Sequence, residues 1–132
     1  DKSSRSARLQ AAIVMAGPMQ MSSGSVAERS RTPGSKSNSN IWLGKTVDQA
    51  PKLYDLADAH QQISPGDTPL LFMVGEHDKP ERNEASRAAL NKAGVWTGLK
   101  IYKDGKHGCW NRHPWFASMA ADMDAFFKTQ LR

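Results

Sequence analysis

Cysteine occurs once in the 132 residues, at position 109, so no internal disulfide can hold the chain together. No stretch approaches the roughly 18 consecutive apolar residues of a membrane-spanning helix, and none is expected. The opening DKSSRSARLQ is polar and lacks the apolar core of a signal peptide, so no targeting segment is expected within it. There is no H-E-x-x-H and no cysteine pair, which removes the common zinc signatures. Acidic residues are in deficit, with 18 Lys and Arg against 13 Asp and Glu and a net charge of +5. The cations are nevertheless dispersed, as Lys2, Arg5, Arg8, Arg29, Arg31, Lys36, Lys45 and Lys52 show, without a basic stripe or interleaved aromatics. A solvated surface is the expectation, and a nucleic-acid partner is not.

What is present is the patterning of one soluble domain, 39% hydrophobic and 23% charged. The run LQAAIVMAGP (9–18) is nearly continuous in apolar and branched residues and closes on Gly17-Pro18, which predicts a strand buried on both faces of a parallel sheet. Residues 19–40 turn to Ser, Gly, Arg and Lys with no sustained period, predicting a flexible loop or lid-like insertion. IWLG (41–44) restores apolar character, and residues 50–63 carry Leu53, Leu56 and Ala57 at helical spacing behind Pro51. LLFMVGEHD (70–78) is a second buried-strand signature. A helix over about 81–93 follows, with Ala85, Ala88, Ala89 and Leu90 expected inward and Gly94 as its left-handed closure. LKIYKDGKH (99–107) reads as a third strand turning at Asp104-Gly105. Trp115, Phe116, Met119, Met123, Phe126, Phe127 and Leu131 then recur at intervals of one, three or four, an amphipathic helix entered at Pro114.

This order predicts an α/β fold: three parallel strands joined by right-handed crossovers, with flanking helices. Functional groups in such sheets collect beyond the carboxyl ends of the strands. Two of those loops hold a complementary pair, Asp78 after the second strand and His107 after the third. Neighbouring parallel strands lie about 4.8 Å apart, so a carboxylate and an imidazole leaving adjacent strands at one edge can meet. A buried carboxylate fixes the imidazole tautomer and stabilises the imidazolium, leaving the second ring nitrogen to take a proton. The glycines flanking His107 are expected to permit a tight turn and leave room for a substrate.

From PLLFMVGEHDKP through AALNKAGV and LKIYKDGKHG to the closing amphipathic helix, the chain resembles the C-terminal part of the α/β-hydrolase fold, nearest to esterase and lipase-like members of acetyl- and carbohydrate-esterase type. Upstream, LQAAIVMAGP resembles the strand that follows the nucleophile-bearing helix, and residues 43–63 resemble a substrate-side segment. The stretch from Ser22 to Asn40 matches worst, and Gln20 stands where many relatives have aspartate. The resemblance implies Asp78 as triad acid, His107 as triad base and a small-molecule ester as substrate; no cofactor and no metal are expected. Family order places the nucleophile before the acid, on a G-x-S-x-G elbow. No serine here fits that pattern, so the expectation is a partial hydrolase domain over 1–132, whose nucleophile and oxyanion-hole donors belong to a missing N-terminal half.

Alternatives accompany each residue. Asp78 also suits a helix N-cap, and Glu76 competes with it as the acid, although it is expected to turn away and bind loop backbone. His77, Asp78, His107 and His113 are metal-ligand types. Cys109 is expected to pack rather than react, and Trp110 is a candidate substrate-binding aromatic. A peptidase of prolyl-oligopeptidase type, or a non-catalytic binding module on the same fold, are the rival functions.

Overall fold

A computed structural model describes residues 8–34 and 36–131. Lys2 and Arg5, and the serines at 3, 4, 6 and 35, lie outside the described residues. The chain is α/β. Strands β1 (Ala12–Met15), β2 (Leu70–Gly75) and β3 (Thr97–Tyr102) form one sheet in the order β1-β2-β3, both pairings parallel. Ala12 stands opposite Leu70, Leu70 opposite Thr97, and Gly75 opposite Tyr102, so all three strands end on one rim. Helices α1 (Gly24–Arg31), α2 (Asn38–Leu43) and α3 (Pro51–Ala57) occupy the first crossover, α4 (Glu84–Lys92) the second, and α5 (Trp115–Gln130) follows β3. No helix among the described residues is long and apolar enough to cross a membrane.

The two-residue period of β2 divides the core. Leu71 and Met73 point to the α5 side, where they meet Tyr102, Cys109, Met119 and Phe126; Phe72 points the other way, to Met19, Leu90 and Val95. Only the middle strand is buried along nearly its whole length. β1, expected to be buried on both faces, is half-buried at every position, because as an edge strand it has a neighbour on one side only. The Tyr102 hydroxyl donates to Asp122 of α5 at 2.8 Å, and Lys100 reaches the same carboxylate at 3.1 Å, fastening β3 to the helix that covers it.

Three helical faces differ from expectation for one reason: polar side chains with partners bury as readily as apolar ones. Residues 19–40, expected as a flexible loop or lid, carry α1 and the first turn of α2. Their inward contacts are Val26, Ala27 and a buried Ser30, whose hydroxyl meets Asn40, the Tyr54 hydroxyl and the Val47 amide at 2.6–3.0 Å. On α3 the buried residue is Tyr54, while Leu56 is exposed. On α4 the inner line runs Ser86 and Leu90, preceded by Asn83, and Ala85 and Ala88 face water. Ser86 is satisfied by His60 at 3.0 Å, and Asn83 bonds the Met19 amide and the Gly17 carbonyl. α5 keeps the expected stripe at Met119 and Phe126 but leaves Phe116 and Leu131 exposed.

Candidate active site

The rim formed by the strand ends is stitched together by main chain. Glu76 N donates to Tyr102 O, His77 N to Gly105 O and Asp78 N to Gly75 O, all within 2.8–2.9 Å, so the loop after β2 lies flat against the loop after β3. This approach requires two glycines. A Cβ on Gly75 would fall 2.4 Å from the Gly105 carbonyl oxygen, and one on Gly105 would fall 2.9 Å from Tyr102 O and 3.0 Å from the Gly75 Cα. The space at Gly105 is therefore taken by the neighbouring loop, and not by a substrate as its place beside His107 led us to expect.

Held this way, Asp78 and His107 come together: Oδ2 lies 2.7 Å from Nδ1. The carboxylate is nearly buried, 7% exposed, whereas the imidazole side chain is 71% exposed. Asp78 is not a helix cap. Lys79 takes the N-cap position of the 3-10 turn Pro80–Asn83, and no side chain caps it. The other oxygen of Asp78 instead accepts from Arg82 at 3.3 Å, and Arg82 also donates to the carbonyl of Ala16 at the end of β1. One guanidinium thus ties together the strand end, the carboxylate and the turn behind it. The spacing of Asp78 and Arg82, i and i+4 across the entrance to a helix, was visible in the sequence but was not singled out.

Glu76 turns away, its carboxylate accepting from the Asp104 amide at 2.8 Å. Of the four metal-type residues of the sequence only Asp78 and His107 meet, and among the described residues no three of them gather their ligand atoms. His77 lies with Glu76 and Asp104, ligand-type atoms within 4.8 Å of one another and all three residues exposed; among the described residues these are the ones that could hold a cation. Cys109 is buried, with Sγ 4.0 Å from the Met119 sulfur, and its thiol pKa is pushed up by burial and further by the charge of Asp78. A thiol so held stays protonated and packs.

Trp110 stands edge-on to His107, ring centroids 5.0 Å apart at 81°. Both line an open cleft of about 490 Å³ with Met15–Pro18 of the β1 end, Arg82, and three residues from the 19–40 segment, namely Ser25, Arg29 and Asn38. Those three escaped the sequence reading because α1 and α2 were not expected there. Ser25 is the serine on this lining; among the described residues it makes no hydrogen bond to His107. Chemically, the arrangement can hold one imidazole tautomer, receive a proton on the other ring nitrogen and stabilise the cation formed, next to space for a small organic ligand. No family model, no curated protein and no solved structure matches the chain, so its geometry alone speaks for it.

Proposed function

We infer that the chain is the C-terminal portion of a serine hydrolase of the α/β-hydrolase fold acting on carboxylic esters, with Asp78 as the orienting acid and His107 as the base. The observation that carries this reading is the 2.7 Å contact between a buried carboxylate and an exposed imidazole at the carboxyl rim of a parallel sheet, beside a cleft. With Nδ1 donating to Asp78, Nε2 takes the proton of a serine hydroxyl as that oxygen attacks the ester carbonyl. The imidazolium then protonates the leaving alcohol. In the second half-reaction the ring, now neutral imidazole, takes a proton from water as its oxygen attacks the acyl-enzyme, and returns that proton to the serine oxygen as the acid leaves. The serine and the oxyanion donors come from outside these 132 residues, so the isolated chain is expected to show no turnover above buffer.

The test is p-nitrophenyl acetate hydrolysis by the full-length gene product and its His107→Ala variant. A loss of roughly a millionfold in kcat is expected, by analogy with removing a triad histidine elsewhere; comparable turnover in both refutes the reading. One observation favours a second reading, a non-catalytic binding module: among the described residues the hydrogen-bond partner of His107 is Asp78, with no serine at its other nitrogen. An in-frame G-x-S-x-G upstream of Asp1 supports the enzyme, and an uninterrupted frame without one supports the module.

A further inference from the structure

The His107 cleft is one end of a longer groove. It shares Pro18, Arg29 and Asn38 with a second open cleft of about 430 Å³, whose lining continues to Lys36 and Trp42. Charge along the joined lining is one-sided. Its one carboxylate, Asp78, is committed to His107 and Arg82, and Arg82 is committed in turn to Asp78 and the Ala16 carbonyl. Arg29 and Lys36 remain. Neither is paired with a carboxylate among the described residues, in contrast to Arg31 on the same helix, which binds Asp48 at 2.9 Å. Among the described residues Arg29 donates its Nε alone, to the Ser25 carbonyl one turn back at 3.2 Å, so both terminal nitrogens of the fork are left for a ligand. A planar guanidinium with two free nitrogens matches a carboxylate in the bidentate manner that a point charge cannot.

The neighbouring surface selects further. Trp42 is 69% exposed, and the exposed Asn38 lines both its cleft and that of the imidazole. A flat, water-facing indole beside an amide donor-acceptor suits a ligand that is hydroxylated at its edges and apolar on its faces, as a pyranose ring is. We propose that this groove binds an acidic saccharide, a uronic-acid unit placing its carboxylate on Arg29 and a neighbouring ring stacking on Trp42. The ester cut at His107 then belongs to a carboxylated polysaccharide. The ester rests on the hydrolase reading above; the acidic sugar rests on the groove alone. A polynucleotide fits less well, since two available cations and one exposed aromatic along the lining are few for tracking a phosphate backbone.

Titration calorimetry of the full-length protein with trigalacturonate and with neutral maltotriose tests this without any turnover. The acidic trisaccharide is expected to bind at least about tenfold more tightly at low salt, with the preference shrinking at about 300 mM salt as the charge is screened. Arg29→Ala is expected to lower affinity for trigalacturonate about tenfold and leave maltotriose unchanged, with Arg29→Lys intermediate. Trp42→Ala weakens both sugars alike. Lys52→Ala removes a cation outside both clefts and changes neither, excluding a general charge effect. Equal affinity for the two sugars, no binding of trigalacturonate, an unaltered Arg29→Ala, or tighter binding of a single-stranded oligonucleotide overturns the proposal. Because affinity is read directly, uronate binding without ester cleavage defeats only the hydrolase reading, and ester cleavage without charge preference defeats only this one.

Discussion

Asp58 and Asp78 are both almost completely buried, 1% and 7% exposed, yet they use their charge in opposite ways. Asp58 accepts from the Met21, Ser22 and Gln61 amides and the Ser22 hydroxyl, at 2.8–3.1 Å. Three of its four donors are main chain, so none can leave without unfolding the segment that carries it. Asp78 accepts from two side chains, an imidazole and a guanidinium, and the imidazole is mostly in solvent. A carboxylate satisfied by backbone is a fastening. One satisfied by an exposed, titratable side chain can take part in a reaction, and the donors separate the two more cleanly than burial does.

The largest effect that can break this contrast is on turnover. Besides the His107→Ala test, Asp78→Asn in the full-length gene product is expected to lower kcat on p-nitrophenyl acetate by about 10⁴, since the amide favours the wrong imidazole tautomer. If Asp58→Asn lowers kcat of the folded fraction as much, the distinction fails. Next comes Gly75→Ala, whose added methyl forces the β2 and β3 loops apart. An ångström of separation between Asp78 and His107 is expected to cost about 100-fold in kcat, with about 2 kcal/mol of stability lost to overpacking. Urea melts alongside kinetics check both.

Asp58→Asn itself is expected to remove about 2–3 kcal/mol of unfolding free energy at neutral pH, because even with its oxygen on the three-donor side the amide turns an NH2 toward the Gln61 amide, and the charge that strengthened all four bonds is lost. Its pH dependence carries a sign. Burial pushes the Asp58 pKa up, but the Ser22 and Met21 amides, the Ser22 hydroxyl and the Gln61 amide outweigh it and hold the group below its ordinary 3.8. The stabilisation is therefore complete above about pH 4 and is lost as pH falls through the depressed folded-state value. Urea midpoints taken from pH 5 downward are expected to fall more steeply in the parent protein than in Asp58→Asn; parallel curves contradict the assignment. The smallest expected effect is that of Arg31→Ala. Its partner Asp48 and Arg31 itself are 64% and 49% exposed, so the loss stays within about 0.5 kcal/mol, and a larger shift in midpoint would mean surface pairs matter here as buried ones do.

The strands and the longest helix were legible because they are written in apolar residues: LLFMV gives β2, and the spacing of Met119 and Phe126 gives the inner line of α5. The turn expected at Asp104-Gly105 is where the third strand ends, β3 stopping at Tyr102 and the chain turning at Lys103 and Asp104 before it reaches the imidazole. The meeting of Asp78 and His107 followed from topology, because adjacent parallel strands bring successive loops to one rim. Illegible were the parts built from polar contacts. Ser30, Asn40 and Tyr54 organise α1 to α3 through hydroxyl and amide bonds that leave no hydrophobic period. Arg29 and Asn38 reach the cleft only because those helices exist. Likewise, nothing in the letters GEHD shows that Gly75 is there for Gly105.

Cys109 lies two positions beyond His107, on the loop's buried side, and it is the chain's single thiol. A sulfhydryl sealed against Met119 and held protonated cannot meet an alkylating reagent until the segment swings outward. The rate of iodoacetamide uptake at this sulfur therefore reports how readily the segment that carries the imidazole opens.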